Sequence, residues 1–209
     1  MSLFITFEGI DGSGKTTQAR ALQKRLAKLG HSVLLTQEPG GTSLGKRLRH
    51  LLKGGSPLSP QAELFLFAAA RAEHVSLVIE PALDRGVIVI CDRFTDSTIV
   101  YQGHGRGLSM ELIQQANSGA TRGIAPTLTF LLDLPVEEAL RRKGSVHGDR
   151  FEREGIDFHR RLREGYLALA KQEPERIVIL DGLSPKQDIA ESLWTRVMRD
   201  LSPARPRSP

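Results

Sequence analysis

Short apolar stretches alternate with amphipathic stretches along the whole chain. The apolar stretches predict five strands, at residues 3–8, 31–37, 86–91, 127–133 and 176–181. Between the strands, apolar residues recur at helical spacing, and they predict helices at residues 15–29, 43–53, 59–83 and 157–172, with a last helix from residue 185. Strands that alternate with helices are typical of a parallel sheet covered by helices.

Smaller signals complete this pattern. Ser109 can cap a helix that ends near Gly119, and a short helix follows Pro135. The glycines at positions 103, 105 and 107 predict a loop before Ser109. Charged residues and glycines predict a further loop at 141–155. Since no internal repeat interrupts the alternation, we expect a single domain.

The strongest chemical signal lies between the first strand and the first helix. This segment fits the pattern G-x-x-x-x-G-K-[ST], and its residues are Gly9, Ile10, Asp11, Gly12, Ser13, Gly14, Lys15 and Thr16. Glycines allow backbone N–H groups to turn toward a phosphate, and the helix N-terminus adds its positive end. Lys15 supplies a charge for the β- and γ-phosphates, and the Thr16 hydroxyl is placed to bind Mg²⁺. The segment therefore predicts a binding site for a nucleoside triphosphate.

A second polar signal, Asp92-Arg93, ends the third strand. An acid at this position can hold the water shell of a metal ion, and the arginine can fork onto a second phosphate. The alternative interpretation of this dipeptide is a surface ion pair at the end of the strand. The chain has no Asn-Lys-x-Asp element for guanine, which argues against a switch GTPase. A motor or AAA-type ATPase would usually need a longer chain and paired acids at the strand end.

Composition narrows the function classes. The chain has 209 residues, of which 40% are hydrophobic, so it can bury one core. No apolar run reaches the roughly 18 residues of a membrane helix. Cys91 is the single cysteine, which fits a reducing compartment such as the cytoplasm. The net charge of +5 fits either nucleic acid or a phosphate site lined with arginine, and the low aromatic content of 5% favours the phosphate site.

With these motifs in place, the chain resembles the thymidylate kinase family over most of its length. The segment from Asp92 to Gln102 is similar to that family's signature, D-R-[aromatic or His]-x-x-S-x-x-A-Y-Q. Val100 stands where the family usually has alanine, which suggests altered packing and leaves the chemistry intact. Other segments match the family in the same order, at residues 4–18, 38–42, 64–71 and 149–152.

The resemblance implies a fold and a reaction. The fold is the P-loop NTPase fold, α/β, with a five-stranded parallel sheet and helices on both faces in three layers. The reaction transfers the γ-phosphate of ATP to dTMP with Mg²⁺ as cofactor. Lys15 and the phosphate loop would hold ATP, Thr16 and Asp92 would serve the metal, and Arg93 would clamp the acceptor phosphate. The family is usually homodimeric, and we expect neither nucleic acid nor a membrane as a partner.

The resemblance also implies an acceptor site. Phe67 and Arg71 lie one helical turn apart, and the family stacks the first on thymine and points the second at a thymine carbonyl. Asp11 would bind the 3′-hydroxyl of the sugar, and Tyr101 would favour deoxyribose. The remaining residues implied for dTMP are Ser97, Thr98 and Gln102. Without the resemblance, Phe67 would fit an ordinary core residue and Ser97 a helix cap.

One arginine of the family is missing from the phosphate loop. Some members carry it there to reach the transferred phosphate, whereas this chain has Gly12. Arginines cluster instead around residues 144–148, and the hypothesis is that Arg150, or second Arg142, acts from a mobile lid at about 141–155. A solvated charged loop is the alternative. The lid and the rest of residues 1–201 would form one domain, and residues 202–209 a disordered tail.

Other functions remain open at this point. A kinase for another nucleotide or deoxynucleoside would share every predicted feature of the site except the pocket for the base. A nucleic-acid-stimulated ATPase would fit the basic charge, and it predicts salt-dependent binding of DNA or RNA. A third possibility is a nucleotide-binding scaffold with weak catalysis, in which acceptor residues would tolerate substitution.

Overall fold

The computed structural model describes residues 3–54, 57–143, 150–151 and 153–201. Within these residues five parallel strands form one sheet, and the strands are β1 (Phe4–Glu8), β2 (Val33–Gln37), β3 (Ile88–Asp92), β4 (Leu128–Asp133) and β5 (Ile177–Asp181). Their spatial order is β2-β3-β1-β4-β5. The predicted five-stranded parallel sheet is confirmed, with each strand beginning one or two residues later than the pattern indicated.

Helices connect the strands throughout the described part of the chain. They are α1 (Lys15–Lys28), α2 (Ser43–Lys53), α3 (Pro60–His74), α4 (Glu80–Asp84), α5 (Thr95–Thr98), α6 (Met110–Thr121), α7 (Val136–Lys143), α8 (Ile156–Gln172) and α9 (Lys186–Leu201). A π-helical segment, Val75–Ile79, joins α3 to α4, and a second one, Ile99–Gly105, follows α5. The single helix predicted at 59–83 is therefore three consecutive helical segments. None of the described helices is long and apolar enough to cross a membrane.

The sheet is covered on both faces, as the three-layer prediction required. Along β1, side chains alternate between the two faces, so Ile5 and Phe7 pack in one cluster with α1 and α9. Phe4 packs in a different cluster with Phe94 and the first π-helical segment. Every residue of β1 is buried, which fits its central place in the sheet.

One sequence prediction for the middle of the chain needs correction. Gly103 and Gly105 lie in the second π-helical segment, where a loop was predicted. This segment packs closely on α8: a Cβ at Gly105 would lie 2.8 Å from the Phe158 ring, and one at Gly165 would lie 2.7 Å from the His104 ring. Gly105 and Gly165 thus allow the two helical segments to pack closely, and neither serves a turn.

The predicted loop and tail can be compared only in part. Helix α7 continues through Lys143, so the loop expected from residue 141 does not begin there. Residues 144–149 and 152, which belong to the predicted lid, lie outside the described residues, as does the predicted tail at 202–209.

Candidate active site

A cleft of about 370 Å³ lies at the carboxyl ends of β1, β2 and β3. Most of the predicted site residues line it, and they are Asp11, Gly12, Gly14, Lys15, Thr16, Phe67, Arg71, Asp92, Arg93, Ser97, Thr98, Tyr101 and Gln102. Gly9, Ile10, Ser13, Arg142 and Arg150 are not among the described residues that line the cleft. Ligands of open α/β sheets bind at this edge, outside the carboxyl ends of the strands.

The phosphate loop curls around its own lysine. Lys15 Nζ donates to the carbonyl oxygens of Gly9 at 3.0 Å and Ile10 at 2.9 Å. Burial and the nearby charge of Arg93 lower the pKa of Lys15 to about 8. Gly12 has a φ of 85° and Gly14 a φ of 100°, a region that glycine adopts without strain. The loop is therefore preformed, with a cation buried at its centre.

Two oxygen-bearing side chains meet beside this lysine. The Thr16 hydroxyl donates to a carboxylate oxygen of Asp92, which ends β3. Hydroxyl and carboxylate oxygens are ligands that Mg²⁺ accepts. No group of three or more His, Cys, Asp or Glu side chains in the described part of the chain is arranged to hold a metal by itself. A metal at Thr16 and Asp92 would therefore need further oxygen ligands from phosphates and water.

Arg93 is held in the cleft by four side chains. Its backbone φ is 73°, a left-handed conformation that costs a non-glycine residue about 1 kcal/mol. Its guanidinium donates to Asp11 at 2.5 Å, to Ser97 at 3.0 Å, to Tyr166 at 3.0 Å and to Tyr101 at 3.1 Å. Side chains from four parts of the chain thus hold this arginine in place.

Asp11 is kept charged within the phosphate loop. Burial opposes its ionisation, but the charges of Arg93, Lys15 and Lys143 outweigh that effect and hold its pKa below the ordinary value. Lys143 Nζ lies 3.5 Å from Asp11 Oδ2, so α7 contributes to the same charge cluster.

Glu8 lies behind Arg93 at the end of β1 and is 1% exposed. It accepts hydrogen bonds from the Phe94 backbone at 2.7 Å, the Ser97 hydroxyl at 2.6 Å and the Tyr166 hydroxyl at 3.1 Å. Burial and the negative charge of Asp96 raise the pKa of Glu8 to about 7. Ser97 therefore bridges Glu8 and Arg93, and its hydroxyl is not a helix cap.

Arg71 is held by a second set of hydrogen-bond partners, different from those of Arg93. It is 2% exposed, and it donates to Glu38 at 2.8 Å, Asn117 at 2.6 Å, the Phe94 carbonyl at 3.0 Å and Thr98 at 3.0 Å. These contacts use four of the five guanidinium N–H donors. The arginine thus faces the cleft with its plane fixed and one N–H remaining.

Three aromatic side chains line the cleft that the two arginines also line. Phe67 lies 6.1 Å from Phe151, and Tyr101 lies 5.7 Å from Phe151 in an edge-to-face arrangement, measured between ring centroids. Phe67 and Tyr101 line the cleft together with Phe151. The face of a single ring such as that of Phe67 offers an apolar surface on which a base can stack. Phe67 is partly buried and not part of the closed core.

The two candidate lid arginines bind acidic or carbonyl groups instead of lining the cleft. Arg150 donates to Glu63 at 2.6 Å. Arg142 donates to Glu138 at 2.8 Å and to the Gly182 carbonyl at 3.0 Å. In this conformation, therefore, neither arginine is placed to bind a phosphate in the cleft.

Comparison with known proteins decides the family. The family model for thymidylate kinase matches residues 7–193. The chain belongs to the thymidylate kinase family. It is 54% identical over 195 residues to a thymidylate kinase of Synechococcus sp. (strain JA-2-3B'a(2-13)), covering 93% of this chain and 94% of the relative. A thymidylate kinase of Desulfovibrio desulfuricans is 51% identical over 199 residues, covering 90% and 91%.

A solved structure agrees with the sequence relatives. The crystal structure of thymidylate kinase from Ehrlichia chaffeensis superposes with a TM-score of 0.78 at 37% identity, covering 94% of this chain and 98% of that one. The resemblance inferred from the motifs is confirmed, and so is the P-loop NTPase fold. As a member of this family the chain is a nucleotide-binding enzyme of the kinase class.

The motifs did not identify every residue that shapes the site. Glu8, Tyr166, Asn117 and Glu63 hold the named residues from behind, and none was predicted to do so. Glu8 did carry a signal, because a carboxylate that ends a fully buried strand needs partners. Asn117 and Tyr166 carried none, since each lies in a helix whose relation to the cleft depends on tertiary packing.

Proposed function

We propose that this chain transfers the γ-phosphate of ATP to the 5′-phosphate of dTMP, giving dTDP and ADP, and so serves dTTP biosynthesis. One observation carries the proposal: a single cleft is lined by the phosphate loop and by Phe67, Arg71 and Tyr101. Such a cleft can bring a triphosphate donor and a nucleotide acceptor together for in-line transfer.

On the donor side, Lys15 and the backbone N–H groups of the loop would bind the phosphates of ATP. Because Lys15 already lies among two carbonyl oxygens, its position is fixed before the nucleotide arrives. Thr16 and Asp92 would hold Mg²⁺, whose oxygen preference they fit. When bound, the metal would neutralise and orient the phosphate oxygens. No covalent intermediate on the protein is required, since positioning and charge neutralisation supply the catalysis.

On the acceptor side, Arg93 would clamp the 5′-phosphate of dTMP. Its bonds to Asp11, Ser97 and two tyrosines orient its guanidinium before binding. Because these bonds use its four terminal N–H groups, some of them would be exchanged for the phosphate. Asp11 and Tyr101 would contact the sugar, and Tyr101 would lie where a 2′-hydroxyl would otherwise fit. The base would stack on Phe67, and its remaining contacts would come from Arg71, Thr98 and Gln102.

Location and assembly are part of the proposal. We infer a cytoplasmic enzyme that needs no nucleic-acid partner and forms a homodimer. Exposed apolar side chains support the dimer, since Phe65 on α3 is 53% exposed and Leu77 in the following π-helical segment is 61% exposed. Light scattering of the purified chain tests the assembly, and a monomer at micromolar concentration would remove this part of the proposal.

A coupled ADP-release assay tests the reaction itself. Mg·ATP is supplied with dTMP, dUMP, UMP, dCMP or no acceptor. Turnover that strongly favours dTMP, with little hydrolysis in the absence of an acceptor, is the expected result. Preference for another monophosphate would keep the phosphate-transfer site and overturn the roles given to Phe67, Arg71 and Tyr101. Hydrolysis that needs added DNA or RNA would instead favour a nucleic-acid-stimulated ATPase.

A further inference from the structure

Glu63 is a buried acid that none of the motifs explains. It lies on α3, one helical turn before Phe67, and is 1% exposed. Arg150 reaches it at 2.6 Å and Arg106 at 3.3 Å. An acid buried so deeply stays charged only with such partners, and two guanidinium groups supply them. Glu63 thus forms ion pairs with both arginines, and a carboxylate in an ion pair accepts hydrogen bonds and donates none.

This carboxylate determines which way the amide of Gln102 points. A terminal atom of the Gln102 side chain lies 2.7 Å from Glu63 Oε1. Because a carboxylate accepts only, that atom has to be the NH₂ group. The amide carbonyl oxygen of Gln102 then occupies the other terminal position. This oxygen has no hydrogen-bond partner among the described residues. It is nevertheless not one of the fully buried polar atoms that lack a partner. Gln102 also lines the cleft.

We propose that Glu63 is a specificity-determining residue that fixes Gln102 as a hydrogen-bond acceptor toward the acceptor base, and so excludes cytosine. This inference rests on the proposed function and names how its base pocket discriminates. Arg71 lines the same cleft with one N–H that its four hydrogen bonds leave over, and Gln102 lines it with an acceptor. Thymine and uracil offer the complementary pair, a carbonyl oxygen at C4 and an N–H at position 3. Cytosine offers the reverse, an amino group and a bare ring nitrogen.

Arg71 and Gln102 line the same cleft. Arg71 and Gln102 are joined through Thr98, whose hydroxyl accepts from Arg71 at 3.0 Å and which lies four residues before Gln102. Each of the two side chains proposed to recognise the base donates a hydrogen bond to a buried carboxylate, Arg71 to Glu38 and Gln102 to Glu63. Cytosine in this pocket would meet donor against donor and acceptor against acceptor, which leaves buried polar groups unpaired.

The test compares kcat/KM for dTMP, dUMP and dCMP in three variants. Glu63→Gln allows both amides to rotate, so the ratio of dTMP to dCMP should fall at least about tenfold while the ratio of dTMP to dUMP stays within about twofold. Glu154→Gln is the matched control. It removes the partner that Arg106 holds at 2.5 Å and leaves the contact between Glu63 and Gln102 intact, so both ratios should stay at wild-type values.

A third variant protects the test against a folding defect in Glu63→Gln. Exchanging the two groups, Glu63→Gln together with Gln102→Glu, keeps one carboxylate in the pair and still presents an acceptor to the cleft. The ratio of dTMP to dCMP in this double variant should stay near the wild-type value, whatever its absolute turnover. A merely structural role for Glu63 would lower turnover of all three acceptors together and leave the ratios unchanged.

The outcomes separate this inference from the proposed function. A folded Glu63→Gln with the wild-type ratio of dTMP to dCMP would overturn the role of Glu63 and leave the kinase standing. A folded exchanged pair whose ratio of dTMP to dCMP falls as far as in Glu63→Gln would do the same. If the unchanged chain does not phosphorylate dTMP at all, the proposed function fails, and this inference fails with it.

Discussion

The Tyr166 hydroxyl on α8 lies 3.1 Å from a carboxylate oxygen of Glu8 on β1, across 158 positions of sequence. The same hydroxyl lies 2.9 Å from Ser97 and 3.0 Å from Arg93. One phenol thus joins the central strand, the segment after β3 and the cation proposed to bind the acceptor phosphate. Its removal should therefore affect substrate binding as well as stability.

Tyr166→Phe removes this hydroxyl and keeps the ring. We expect a loss of about 1–2 kcal/mol in the free energy of unfolding, because buried polar partners lose a hydrogen bond. We also expect kcat/KM for dTMP to fall about tenfold, mainly through KM, because Arg93 loses one of its supports. Urea unfolding and steady-state kinetics measure the two effects.

Tyr101→Phe is the control for that substitution. Its hydroxyl also accepts from Arg93, at 3.1 Å, but no contact joins it to Glu8 among the residues described. It should therefore cost less stability than Tyr166→Phe. A Tyr166→Phe enzyme that loses stability with an unchanged KM for dTMP would mean that Arg93 is held well enough by its other partners.

The Glu8 carboxyl should make stability depend on pH. Its pKa is raised from 4.5 to about 7, first by burial and then by Asp96. Between these values the folded protein keeps a proton that the unfolded chain releases, so the free energy of unfolding falls as pH rises. The slope is at most about 1.4 kcal/mol per pH unit, and this contribution is fully present below pH 4.5 and lost above pH 7.

Urea unfolding of the parent chain and Glu8→Gln at several values between pH 5 and pH 8 isolates this contribution. The parent should lose stability relative to the variant as pH approaches 7, and the two curves should then run parallel. Lys15, with its pKa lowered from 10.5 to about 8, titrates at the upper end of this window in the parent and the variant alike, and Asp11 titrates below it. Parallel curves across the whole range would show that Glu8 is ionised throughout.

Local signals explain why much of the fold was predictable from sequence. The strand β3 is apolar at nearly every position, and the phosphate loop carries its lysine and glycines within eight consecutive residues. Such signals need no knowledge of distant contacts. The same holds for Ser109, whose side chain accepts from the Leu112 backbone at 3.3 Å and caps α6 as predicted.

The supports of the site could not be predicted in this way. Asn117 reaches Arg71 across 46 positions and Glu63 reaches Arg150 across 87, so both contacts depend on how helices pack in three dimensions. The π-helical segment at Ile99–Gly105 was missed for a related reason. Its glycines have the local signature of a loop, and only the facing surface of α8 shows that they serve close packing.

Gly12 should resist any side chain, for a reason that includes α7. A Cβ at this position would lie 2.7 Å from the Ala139 carbonyl oxygen, and φ is 85°. Gly12→Ala should therefore cost more stability than left-handed strain alone, which is about 1–2 kcal/mol. It should also lower kcat/KM, because the loop or α7 has to move. Thermal unfolding and the ADP-release assay measure these effects.

Gly123→Ala is the matched control. Its φ is 82°, but a Cβ there meets nothing within 4 Å. It should show the strain alone and full activity. Equal losses of stability in the two variants would mean that the contact between the phosphate loop and α7 yields without cost.

Substitution of Arg150 tests whether an arginine outside the phosphate loop stabilises the charge on the transferred phosphate. In the present conformation it is held by Glu63, so it would have to exchange that partner for phosphate during transfer. If it does, Arg150→Ala should lower kcat by about 10³-fold, because an arginine that reaches the transition state contributes about that much. Single-turnover measurements with Mg·ATP and dTMP separate this effect from product release.

Two comparisons make the Arg150 result interpretable. Arg153→Ala changes an exposed arginine three residues away and should leave kcat within about twofold of the parent, since solvent screens such a charge. Arg142→Ala, with partners at Glu138 and Gly182, should have a small effect if Arg150 is the main contributor. An unchanged kcat in Arg150→Ala together with a large loss in Arg142→Ala would reverse the order of the two arginines. Unchanged values in both would show that Lys15 and Arg93 carry the charge without help from this region.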